Sequence, residues 1–124
     1  MPESRSRAHI VLTSASNADE AALLARTLVE ERLAACATLV PTVESIYHWE
    51  DQIETSTEAL LMLKTSSEQL AGLEARLREL HSYQIPEFLV LDVDSGSHLY
   101  LDWLFASLRK PQVIGSGAPP VGPS

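Results

Sequence analysis

Residues 36–64, CATLVPTVESIYHWEDQIETSTEALLMLK, decide the fold. They read as two β segments, about Cys36–Trp49 and Ile53–Lys64, joined by a tight connection at Glu50, Asp51 and Gln52. Counting by twos puts Ile53, Thr55, Thr57, Ala59, Leu61 and Leu63 on one face of the second segment. Pro41 has no N–H to give a ladder, so the first segment should carry a bulge or an edge there. A ribbon of roughly 13 residues at about 3.3 Å each is on the order of 43 Å long. A domain of ~100 residues has a radius of gyration near 13 Å. The hairpin must therefore overhang its own domain, taking Val43, Ile46, Tyr47, Trp49 and Ile53 with it. Exposed aromatics and open strand edges are hazards unless another chain covers them, so we expect a homo-oligomer held by strand pairing.

Working outward, Ile10, Val11 and Leu12 make Ala8–Thr13 a short strand apolar on both faces, inside the sheet. Asn17 and Glu20 have capping-box spacing, and Ala21, Leu24, Ala25, Leu28 and Arg32 mark a helix face running to about Leu33. Beyond the hairpin, Thr65 with Glu68, or Ser66 with Gln69, offers a second capping box before Leu70, Leu73, Leu77 and Leu80. A fourth strand, Ile85–Val93, is expected to be buried on both faces through Phe88–Leu91. A last helix, Ser97–Arg109, carries Leu101, Leu104, Phe105 and Leu108 on one side, with Arg109 and Lys110 at its negative end. The order β, α, β, β, α, β gives an α+β, ferredoxin-like sandwich with an extra C-terminal helix and a long hairpin. We expect residues 1–7 to be a flexible N-terminus, 8–110 the folded domain, and 111–124 a disordered Pro/Gly-rich tail with too little to bury to offset its ordering entropy.

The 124 residues suit one core, and 45% hydrophobic with 21% charged residues is a globular composition. No apolar run approaches the ~20 residues of a membrane span, so no membrane partner is expected. Nine Lys and Arg against 17 Asp and Glu leave a net charge of -8, which repels nucleic acid and concentrates cations. The single cysteine, Cys36, forms no internal disulfide, and a reducing, cytoplasmic location follows as the expectation. No Lys or Arg lies between Arg32 and Lys64, where Glu44, Glu50, Asp51, Glu54 and Glu58 fall. Like charges facing across strands repel. Basic residues of a neighbouring copy or bound cations relieve such a hairpin, unless the carboxylates simply point into water.

Five stretches then carry a resemblance: Glu31–Ala37 (ERLAACA), Ser45–Glu50 (SIYHWE), Leu63–Thr65 (LKT), Leu80–Glu87 (LHSYQIPE) and Tyr100–Trp103 (YLDW). From Ile10 to Arg109 the chain resembles the CutA family of divalent-cation tolerance proteins. The resemblance implies a ferredoxin-like protomer, a homotrimer built by the long hairpins, a cytoplasmic home in bacteria, and an association with copper and other divalent cations. Some members have a Cys ending the first strand and a His-His pair before Pro-Tyr, taken as copper ligands. The matching positions here are Thr13, Leu80 and His81, with Ser82 for the proline, which leaves His81 as the candidate metal ligand.

The residues themselves offer two kinds of site. His9, His48, His81, His98 and Cys36 include no HExxH or CxxC spacing, so a site for Cu(II) or another divalent cation must be assembled in space. His81 has a competing reading as a helix terminus that bonds the last carbonyls, and Cys36 as a small core residue. Asp92 and Asp94 either hold a hard cation or enter a turn in solvent. The second site is an inter-subunit cleft assembled from Cys36, Trp49, Lys64, Tyr83 and Glu87, the mixture of charge and aromatic surface expected of a binding pocket. Against it stands a simple Lys64–Glu87 pair with the aromatics as interface packing. Ser95–Gly96–Ser97 lacks a P-loop lysine and no GxSxG occurs, so no enzyme is expected. The resulting expectation is a homotrimeric cytoplasmic protein of divalent metal (copper) tolerance, acting through weak metal binding. The alternative is a PII-like trimeric sensor with a small molecule in the inter-subunit cleft.

Overall fold

A computed structural model describes residues 6–109. The expectations for Lys110 and for the tail at 111–124 lie outside the described residues, as does most of the expected N-terminal segment. Strand β1 (Ala8–Ala15) leads into helix α1 (Ala18–Glu30), whose N-terminus is capped by Asn17: its Oδ1 accepts the Glu20 N–H at 2.8 Å. The expected box is not closed on Asn17, because the Glu20 carboxylate takes the N–H of Ser16 instead, at 2.9 Å. Nor does α1 reach Leu33. Arg32 turns left-handed (φ 61), and the N–H groups of Arg32 and Leu33 bond the carbonyls of Val29 and Leu28, each at 3.0 Å. That closes a Schellman motif with arginine where glycine is usual.

Strands β2 (Cys36–Trp49) and β3 (Gln52–Ser66) form the long hairpin. Glu50 and Asp51 both have positive φ (51 and 64), as a two-residue type I′ turn requires. The pairing steps from Val40↔Leu60 to Val43↔Glu58, a bulge at Pro41 as expected. On β3 the counted face holds, but only Ala59, Leu61 and Leu63 are buried, because Ile53, Thr55 and Thr57 lie on the overhang.

The second capping box does not form. β3 continues to Ser66, a single 3-10 turn follows at Ser67–Gln69, and α2 (Leu70–Leu80) starts with no side-chain cap. The polar side chains are drawn to the carbonyls that α1 leaves open: the Thr65 hydroxyl donates to Leu33 O at 2.8 Å and the Gln69 amide to Arg32 O at 2.7 Å. The fourth strand is also shorter than expected, β4 (Leu89–Asp92) alone. It pairs with β1 only over His9–Leu12, and Ile85 is 70% exposed. Helix α3 (His98–Ser107) closes the described chain, with the Ser97 hydroxyl accepting the Tyr100 N–H at 3.3 Å.

The sheet order is β2-β3-β1-β4, antiparallel throughout. Helices α1 and α2 cover one face: Val11, Ala15, Ala59, Leu61 and Leu63 pack against Leu24, Leu28, Leu73 and Leu77. α3 covers only one end of the other face, through Ala8, Ala35, Leu104 and Leu108. By register the rest of that second face presents Ile10, Leu12, Val40, Leu60, Met62, Leu89 and Leu91. Leu89 is 56% and Leu91 47% exposed, so the expectation of burial on both sides of β4 fails within one protomer. Among the described residues no helix is long and apolar enough to cross a membrane.

Candidate functional site

The hairpin and the segment that follows α2 enclose an open cleft of about 920 Å3. Cross-strand pairing of Tyr47 with Glu54 and of Val43 with Glu58 places Tyr47, Trp49, Glu54 and Glu58 on the same side of the ribbon, since directly opposed residues share a face. From the other wall come Tyr83, Ile85, Pro86 and Glu87. Glu58 is only 7% exposed, and the Tyr83 hydroxyl donates to its Oε2. Burial, reinforced by this bond and by the Glu58 charge, pushes the Tyr83 phenol well above its usual range. Tyr83 therefore stays protonated and donates.

A carboxylate from α1 fixes that second wall. Glu20 accepts from the N–H and hydroxyl of Ser16 (2.9 and 2.7 Å) and from the N–H and hydroxyl of Ser82 (2.9 and 3.0 Å). Burial alone raises its pKa, but these four donors outweigh it and pull the group down from 4.5 to about 2. His81 caps α2 through its backbone N–H to Leu77 O (2.9 Å), while its ring leaves the helix. Nδ1 accepts the Tyr83 N–H at 3.0 Å and Nε2 lies 2.6 Å from Ser14 O. An amide only donates and a carbonyl only accepts, so the proton sits on Nε2 and both ring nitrogens are engaged.

Of the cleft residues expected from sequence, Trp49, Tyr83 and Glu87 come together. Within the protomer Cys36 and Lys64 do not join them. They oppose each other in register at the other end of the ribbon, Nζ 3.9 Å from Sγ, with Lys64 also 5.9 Å from the Tyr100 ring centre. Lys64 is thus turned to Cys36 and Tyr100 rather than to Glu87. The remaining histidines are scattered: His9 is buried between Ser67 Oγ (2.8 Å) and Asp92 (3.0 Å), His98 faces Asp102 (3.2 Å), and His48 is exposed on the ribbon. Among the described residues no three His, Cys, Asp or Glu side chains converge, and the engaged His81 ring offers no free lone pair. These residues do not fit a tightly held metal centre, which takes several donors at about 2.0–2.3 Å. Glu20 and Glu58 were visible only as a cap and as part of an acidic run; their roles arise from Ser82 and Tyr83, distant in sequence.

Residues 9–107 match the family model described as CutA1 divalent ion tolerance protein. A protein from Escherichia coli, "Divalent-cation tolerance protein CutA", is 48% identical over 101 residues, 81% of this chain and 89% of its own. "Protein CutA, chloroplastic" of Arabidopsis thaliana is 37% identical over 81% of this chain and 55% of its own. The solved divalent cation tolerance protein of Thermus thermophilus superposes with a TM-score of 0.77 at 39% identity, covering 78% of this chain and 94% of that one. With a family match that runs from the first strand to the last helix, and a fold that superposes on such a relative over most of both chains, the chain belongs to the CutA1 divalent ion tolerance family.

Proposed function

We propose that the chain is a homotrimeric, non-enzymatic, cytoplasmic protein of divalent-cation tolerance, a ferredoxin-like protomer whose hairpin completes its neighbours' sheets. The observation that carries this reading is the uncovered apolar sheet face, with Leu89 and Leu91 in the open beside the unpaired edge of β4. A protomer left with that surface aggregates. The two sheet edges, β2 and β4, are different surfaces, so joining one to the other is a head-to-tail contact, which gives a ring when the rotation between copies closes. Static light scattering tests it: we expect the mass of three chains, and a monomer at micromolar concentration overturns the reading. A lone, half-buried Cys36 supports the reducing compartment.

Divalent cations, copper included, are read as weakly held. His81 is the candidate ligand, and its Nδ1 lone pair comes free only when the Tyr83 N–H bond breaks, costing about 0.5–1.5 kcal/mol. The role needs binding tighter than roughly millimolar, about -4.1 kcal/mol, and weaker binding removes it. Calorimetric titration of Cu(II) into wild type and His81→Ala decides it, equal binding removing His81 from the role. The cleft favours a second reading, a PII-like sensor that takes a small molecule, because its volume suits one and Trp49, Tyr83 and Glu87 already meet there. A thermal-shift screen of metabolites tests it, with about 2.7 kcal/mol of added stability expected for a ligand at 100 times its dissociation constant.

A further inference from the structure

We propose that His9 and Asp92 together hold a borderline divalent metal ion of the Zn(II) kind, through the ring Nδ1 and the carboxylate, with water in the other coordination positions. The inference rests on the reading that this chain holds divalent cations weakly, and it gives them a place other than His81.

The register builds the pair. His9 stands opposite Asp92 of β4 and opposite Thr65 of β3, so all three project to one side of the sheet. Val11 and Leu63, two residues along, put that side against α1 and α2. It is the side away from the sheet face left to other copies. The edge of β4 is a partner contact in the proposed ring, but strand pairing uses main-chain groups in the plane of the sheet, and Asp92 projects out of that plane.

A nitrogen with nothing to bond carries the inference. His9 is 6% exposed, and its buried Nδ1 has no hydrogen-bond partner among the described residues, although Asp92 Oδ1 lies only 3.0 Å away. The other nitrogen is engaged, Nε2 lying 2.8 Å from the Ser67 hydroxyl. That hydroxyl accepts the Arg7 N–H at 3.3 Å and donates to Arg7 O at 3.4 Å. With its one hydrogen given to Arg7 O, the Ser67 oxygen accepts from Nε2–H, and Nδ1 turns a lone pair toward a carboxylate. Two acceptors 3.0 Å apart repel unless a cation joins them. The opposite tautomer buries an N–H out of line with its acceptor, which is also unfavourable.

A metal ion answers this geometry where a proton does not. A hydrogen bond weakens steeply as donor, hydrogen and acceptor leave a straight line. An ion shared by two ligands instead sets them about 90–109° apart at ~2.0–2.2 Å, which puts nitrogen and oxygen ~2.8–3.5 Å from each other. The observed 3.0 Å falls inside that range. Imidazole nitrogen beside carboxylate oxygen suits Zn(II), Ni(II) and Cu(II) better than Mg(II) or Ca(II). The hydrogen bond at Nε2 fixes the tautomer and the ring orientation that such a ligand needs. The Asp92 side chain is 67% exposed, so water reaches the ion. With no third His, Cys, Asp or Glu side chain converging among the described residues, the ion is held weakly and exchanges.

The test is calorimetric titration of Zn(II) into the full chain in its assembled state. Saturable binding is expected, with His9→Gln and Asp92→Asn each weakening it about tenfold or more. Asp92→Asn changes an exposed side chain and keeps the test open should His9→Gln misfold. His98→Ala removes a histidine–carboxylate pair that lies open on α3 with no buried nitrogen, and is expected to bind as wild type does. In 15N-labelled chain, Zn(II) is expected to move the Nδ1 resonance of His9 while Nε2 keeps its proton. Unchanged binding by Asp92→Asn, equal weakening by His98→Ala, or an equal response to Mg(II) overturns the inference. A loss confined to His81→Ala also overturns it and leaves weak cation binding standing, whereas no binding of Zn(II) or Cu(II) at millimolar concentration removes both.

Discussion

At the scale of residues, short hydrogen-bonded links between distant side chains hold the cleft. Glu20 joins the start of α1 to Ser82. Its pKa is about 2 in the fold against 4.5 outside it, so its contribution is fully present above pH 4.5 and is lost as pH falls toward 2. Solvent screening of this partly exposed carboxylate leaves less than the roughly 3 kcal/mol that the full shift represents. In urea unfolding at successive pH values, Glu20→Gln is expected to be less stable than wild type at pH 7 and to close most of that gap by pH 2. Tyr83→Phe removes the one donor that buried Glu58 has among the described residues, and a loss of about 1–3 kcal/mol is expected. In a double-mutant cycle, Glu58→Leu should recover part of it, because the stranded charge disappears with the carboxylate.

At the scale of elements, the Arg32 terminus shows how two opposing effects are weighed. Glycine relieves the left-handed backbone by about 1 kcal/mol or less. The guanidinium, however, donates to Ser107 O at 2.7 Å and so holds the end of α3 to the end of α1. A hydrogen bond from a charged donor is worth about 1.5–3 kcal/mol. Arg32→Gly is therefore expected to lower stability by about 1 kcal/mol in chemical denaturation, with faster amide exchange confined to α3. Sequence patterning placed the elements and some of their ends: the ribbon, its turn at Glu50–Asp51 and the Pro41 bulge stand where alternation and the missing N–H put them. It misplaced ends wherever a polar side chain had a choice of partners. Thr65 and Gln69 fit a local cap equally well on paper, but the open carbonyls of Leu33 and Arg32, brought near only by folding, took them.

At the scale of the molecule, part of one sheet face stays uncovered within the protomer, and the proposed trimer buries it. Leu91→Glu is expected to yield monomer or aggregate by light scattering while far-UV circular dichroism stays near that of wild type, because Leu91 lies outside the core that α1 and α2 cover. Trp49→Glu at the ribbon tip should act in the same direction. The sequence by itself determined the order of the elements, the length of the ribbon and the acidic character of its span, since these follow from periodicity, strand rise and composition, all local quantities. It also held the signature of the family. Only the tertiary structure decided that Trp49, Tyr83 and Glu87 share a cleft while Lys64 lies at the ribbon's far end beside Cys36, and that both His81 nitrogens are in use. The physical reason is that a side chain's partners depend on where the chain returns in space, and a carboxylate or imidazole takes whichever complementary group the packed backbone brings within about 3 Å.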